Sequence, residues 1–95
     1  MYSIENKDDA IRMVQTFILE LSYGEPALPH LVIDGVYGER TRRAVRIFQG
    51  MKGLPETGRA DFLTWSALYD AYRTTKDKRM KDEEFLHLEF VFPIE

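Results

Sequence analysis

A chain of 95 residues has room for one small domain, and its 44% hydrophobic content is enough for a packed core, which excludes wholesale disorder. A net charge of −3 and a pI near 5.4 argue against a protein built to grip nucleic acid, because an acidic chain repels the phosphates. The absence of cysteine removes disulfides, thiolate chemistry and cysteine-type zinc sites, and no run of about 18 apolar residues is present to span a membrane.

The first ten residues, MYSIENKDDA, are polar and lack the apolar stretch of a secretory signal. A helix is predicted over residues 6–22. Ala10, Ile11, Val14, Phe17, Ile18 and Leu21 recur at the spacing of one helical face, Asn6 or Asp8 can cap its start, and Gly24 with Pro26 stops it. Residues 25–33 read as a loop in which HLVI returns apolar side chains to the core. Asp34-Gly35 is then a turn signal. A second helix is predicted over residues 39–52, with Ala44, Val45 and Phe48 inward, helped by Thr41 or Ile47. Gly53, Leu54 and Pro55 mark its end. A third helix is predicted from Asp61, as N-cap, to Tyr72, with Phe62, Trp65, Leu68, Tyr69 and Tyr72 on one face. From Arg73 the chain becomes highly charged, as a linker or an exposed helix. FLHLEFVF after it fits a strand and a helix equally and should dock on the bundle or on a neighbour.

The chain echoes itself. Moved by 23 positions, DGVYGERTRRAV falls on TGRADFLTWSAL, which aligns Gly35 with Gly58, Thr41 with Thr64 and Ala44 with Ala67. Gly38 and Asp61 then take the N-cap positions, and the two threonines sit at the third helical position, where a hydroxyl can bond back to the cap. The small alanines allow close helix approach.

The series Val14-Gln15, then Asp34, Gly35, Tyr37, Gly38, Thr41, Ala44, Val45, Phe48 and Gln49, then Gly53, Leu54, Pro55, Thr57, Gly58, Asp61, Thr64, Trp65 and Leu68 resembles the three-helix peptidoglycan-binding domain carried by bacterial cell-wall hydrolases and spore-cortex enzymes. The likeness covers roughly residues 8–72. Two departures stand out: a loop over residues 22–33 longer than the shortest members carry, and a tail from Arg73 outside the pattern. The expected fold is all-α, a three-helix bundle over residues 4–72 with a C-terminal extension over residues 73–95. The resemblance implies non-covalent binding of peptidoglycan, or muropeptide, as an anchoring or targeting module, with tandem copies or a hydrolase domain in a parent protein. It implies a cell-wall or extracellular setting. With no signal peptide in this chain, a cytoplasmic or spore-associated one stays open. The competing reading is a protein-interaction module on the same fold, its groove filled by a partner or by the chain's own C-terminal segment.

Arg40, Arg42, Arg43, Arg46 and Lys52 against Glu39 give the second helix a net charge of +4, so the remainder carries −7. A solvated outer face is the stronger explanation. A helix-turn-helix reading is disfavoured by the acidic whole, and the remaining one is a clamp on the carboxylates of wall peptides. Asp34 is first a local hydrogen-bond acceptor and second a ligand contact. Tyr37 reads equally as packing or as a ring for sugars, whereas Trp65 belongs to the core stripe. Gln49 ties down a loop or faces ligand, the former being the stronger. The candidate ligand-binding residues are Asp34, Tyr37, Gly38, Arg40, Thr41, Arg43 and Gln49.

For catalysis the chain offers little. His30 and His87 are its only histidines, with no HExxH spacing, no acid/base carboxylate pair in a recognisable context and no nucleophile elbow around Ser3, Ser22 or Ser66. No enzyme, no metal and no cofactor is expected, and neither nucleic acid nor membrane as partner.

Overall fold

The computed structural model describes residues 7–76. Three helices follow in order, α1 (Lys7–Ser22), α2 (Glu39–Met51) and α3 (Phe62–Lys76), with no strand among the described residues. The fold is the all-α three-helix bundle expected from the periodicities. Residues 77–95, which hold most of the charged stretch and all of FLHLEFVF, lie outside the described residues.

α1 is the central element and packs mainly against α3. Its whole expected stripe is buried, from Ala10 to Ile18, with Leu21 half-buried at the edge. Met13 is buried as well, so the interior face is wider than the stripe predicted. Phe17 stands in the middle of an aromatic group. Its ring centroid lies 4.8 Å from Tyr72, 5.3 Å from Trp65 and 6.3 Å from Tyr69, all three tilted against it. Trp65 is fully buried, as a core tryptophan should be. Phe62 departs from its predicted place. It is 38% exposed because, as the first residue of α3, it precedes the turn that faces α1.

The helix ends follow local chemistry. α2 closes in a Schellman arrangement: the Leu54 amide donates to the Gln49 carbonyl at 2.9 Å and the Gly53 amide to Gly50 at 3.3 Å. α3 opens on Asp61, whose Oδ1 accepts the Thr64 amide at 2.9 Å. α1 ends differently from α2. Its chain leaves through consecutive tight turns, with Tyr23, Gly24 and Glu25 donating to carbonyls three residues back. α3 runs on past the expected Tyr72 to Lys76. Among the described residues no helix is long and apolar enough to cross a membrane.

Candidate functional site

The turn before each of the last two helices is held by a buried glutamine from the helix before it. Gln15, 1% exposed on α1, shares its amide hydrogens among Asp34 Oδ1 and the Val36 carbonyl, both at 3.0 Å, and Thr41 Oγ1 at 3.1 Å. Its Oε1 accepts the Asp34 and Gly35 amides, each at 3.0 Å. Gln49, fully buried on α2, repeats the device one unit later. Its amide reaches Thr64 Oγ1 at 2.9 Å, the Arg59 carbonyl at 3.0 Å and Thr57 Oγ1 at 3.3 Å, and its Oε1 accepts the Gly58 amide at 2.9 Å.

Thr41 and Thr64 therefore serve a different purpose from the one expected. Their hydroxyls receive the glutamine amides of the preceding helix and do not turn back to the caps, because a buried amide NH2 needs acceptors and no water reaches it. Gly35 and Gly58 sit at positive φ, 76° and 78°. Each also lies under a neighbouring side chain: a Cβ on Gly58 would come within 2.7 Å of Arg42 Cγ, and one on Gly35 would run into the Asp8 carboxylate. The 23-residue echo is thus a repeated lock of glutamine, glycine turn and threonine. The glutamines themselves are 34 positions apart, so a search at the turn spacing passes over them. The difference is the longer loop between α1 and α2.

The first turn is also held electrostatically. The Val36 amide donates to Asp34 Oδ1 at 2.9 Å, Gln15 donates to the same oxygen, and these bonds hold the Asp34 carboxyl below its ordinary value of 3.8. Arg12 of α1 adds contacts to the Ile33 and Asp34 carbonyls at 3.4 and 3.3 Å while pairing with Asp8 at 3.0 Å. A carboxyl whose folded pKa is lowered stabilises the fold above its unfolded value, and that contribution is lost as pH falls through the folded one. Stability of the full chain is therefore expected to drop on acidification below about pH 4. In Asp34→Asn, which keeps an oxygen for Val36 but cannot titrate, the acid limb should be shallower in urea titrations at successive pH values. Equal limbs would remove Asp34 from the account.

Tyr37 is claimed by the fold. Its hydroxyl donates to the Gly58 carbonyl at 2.6 Å, which ties the first turn to the second. Burial pushes the phenol well above its ordinary range, against the opposing pull of Arg42 and Arg46 and a bond with the Ala60 backbone. The Arg42 guanidinium lies over the ring at 5.7 Å.

Besides a cleft of about 360 Å³ at its far end, lined by Leu21, Leu28, Phe48, Met51 and Lys52 among others, two clefts open along the earlier turns of α2. One, of about 340 Å³, is lined by Gln15, Leu31, Val32, Asp34, Val36, Gly38, Glu39, Arg40 and Thr41. The other, of about 410 Å³, lies between the loop from Pro26 to Pro29 and Arg40, Arg43 and Ile47. Asp34, Gly38, Arg40 and Thr41 thus meet around the first cleft, and Arg43 joins Arg40 on the second. Tyr37 and Gln49 line neither. Gln49 is 0% exposed and spends its amide on the turn, and Tyr37 spends its hydroxyl on Gly58.

Residues 7–68 match the family model described as "Putative peptidoglycan binding domain". The chain belongs to this family. The peptidoglycan-binding domain is a binding domain, not a catalytic one. Among curated proteins, the chain is 34% identical over 64 residues to "Uncharacterized protein FadG" of Bacillus subtilis, covering 67% of this chain and 10% of that protein. It is 45% identical over 49 residues to "Putative OxPP cycle protein OpcA" of Synechococcus elongatus, covering 52% of this chain and 11% of that one. The chain therefore spans about a tenth of the length of these relatives. No solved structure matches it. The peptidoglycan-binding domain's characteristic positions divide by the geometry. Gln15, Gly35, Tyr37, Thr41, Gln49, Gly58 and Thr64 build the locks, and of the whole set Gln15, Asp34, Gly38 and Thr41 also border the first cleft.

Proposed function

We propose that this domain binds bacterial peptidoglycan non-covalently, in the two clefts beside α2, and acts as the wall-anchoring part of whatever protein carries it. The observation that carries the reading is the turn from Asp34 to Gly38, which belongs to the family pattern and frames a cleft whose rim ends in Arg40. The groove is open, with apolar walls and a few polar and charged groups at its rim. One domain should bind weakly once ordering costs are met, and tandem copies would raise retention by avidity. A hydrolase or other wall-active domain is the natural companion of such a module, and the cell wall its place of work.

The test is co-sedimentation of the full chain with purified insoluble sacculi stripped of protein. Retention that falls with added salt is expected, together with loss of most retention in Arg40→Glu/Arg43→Glu at unchanged circular dichroism. A double variant retained like the parent would place the site elsewhere. A second reading rests on the exposure of Val32 and Val36 at the cleft edge, which would suit a protein partner. Stripped sacculi hold no such partner, so absence of any retention would favour it.

A further inference from the structure

The arginines of α2 are not equivalent. Arg42 and Arg46 both face Glu39, with nitrogen–oxygen distances of 3.8 and 3.5 Å, and Arg42 also covers Tyr37 and Gly58. Arg40 and Arg43 make no hydrogen bond or ion pair with any of the described residues. Three positions apart, they share one face of the helix, and that face borders the clefts: Arg40 lines both, Arg43 the second. Two uncommitted guanidiniums therefore stand where the two clefts meet.

The rest of the lining is as telling. Neither cleft contains an aromatic ring. Trp65 is fully buried and the Tyr37 hydroxyl is bound to Gly58, so the flat apolar platform on which a sugar face would stack is missing from both. What the second cleft offers beside its arginines is Pro26, Ala27, Leu28, Pro29 and Ile47, an apolar wall suited to small side chains. The first offers polar atoms of Asp34 beside Val32 and Val36, suited to an extended backbone.

We infer that the groove reads the carboxylate-bearing end of a short peptide with small side chains, held by Arg40 and Arg43, and does not read the sugar. The inference rests on the peptidoglycan reading and narrows it: the peptide stem is the recognised part, and the glycan is carried along. A guanidinium pairs with a carboxylate through charge-assisted, two-pronged hydrogen bonds, and an amide in the same place forfeits both the charge and one acceptor oxygen.

The test is an NMR titration of the full chain in moderate salt with three soluble ligands: a disaccharide carrying its peptide stem, the same compound with its stem carboxylates amidated, and the bare disaccharide with the carboxyl that had joined the stem capped as an amide. The free acid should bind about tenfold more tightly than the amide, the loss of one charge-assisted hydrogen-bonded contact. The bare disaccharide should cause no shifts at millimolar concentration. Arg40→Gln/Arg43→Gln should lose the same factor against the acid and nothing against the amide. Arg46→Gln, which removes an equal charge from outside the clefts, should keep the acid-to-amide ratio. An amide that binds as well as the acid, or a bare disaccharide that binds as well as the complete compound, overturns the inference while peptidoglycan binding stands. Silence with all three ligands overturns the peptidoglycan reading and the inference with it.

Discussion

Replacing Gln49 with methionine is expected to lower the stability of the chain by about 3 kcal/mol. The substitution keeps length and flexibility and removes four hydrogen bonds at once, those to Thr57, Arg59 and Thr64 and the one from the Gly58 amide. Each such bond is worth about 1 kcal/mol net, and a buried group left without a partner costs about 1–3 kcal/mol more. Thr64 is 1% exposed and Gly58 is buried, so water cannot replace the amide there. The same change at Gln15 deletes more bonds but should cost less, about 2 kcal/mol, because Asp34 and Val36 are exposed and water can take over their half of the lock. Accessibility of the partners thus outweighs the number of bonds. Urea unfolding followed by the fluorescence of Trp65, the single tryptophan and a fully buried one, measures both. A Gln49→Met variant within about 1 kcal/mol of the parent would mean that the second turn holds itself.

Phe17→Ala should be the more damaging change, at about 3–5 kcal/mol. The ring is fully buried and touches three aromatic neighbours on α3, so its removal opens a cavity between the two helices that pack most closely. A domain of this size is stabilised by about 5–10 kcal/mol in all, so the variant stands at the edge of folding. Phe17→Leu, which refills most of the volume, should recover at least half of the loss. Thermal unfolding by circular dichroism compares the pair, and near-equal melting temperatures for the parent and the alanine variant would show the aromatic group to be dispensable.

Much of this fold is legible in the sequence because helices declare themselves through period and punctuation. Ala10 to Ile18, the Gly53-Leu54-Pro55 stop and the Asp61 cap are local signals, and each appears where it should. The echo of Gly35 with Gly58 is equally visible. What pattern alone misses is Gln15, a polar residue at a core position whose purpose depends on a turn 19 residues away. The periodicity that finds apolar stripes has no term for a buried amide that serves as a bracket. The candidate site is legible only in part. Arg40 and Arg43 stand among the candidates picked from the sequence, but the reason to separate them from Arg42 and Arg46 is three-dimensional: Glu39 occupies the latter pair and the clefts border the former.

The two locks also share a helix. α2 offers Thr41 to the glutamine before it and, eight residues on, Gln49 to the turn after it. It is at once socket and plug, and a chain of such helices could in principle be extended link by link. This one is not. Eight residues beyond Thr64 stands Tyr72, which turns its ring to Phe17 at 4.8 Å, and eight before Gln15 stands Lys7, with no hydroxyl to offer. α1 and α3 thus each carry half of this coupling. Among the described residues the coupling therefore occurs twice, and the two positions that would carry it onward hold Tyr72 and Lys7 in place of a glutamine and a threonine.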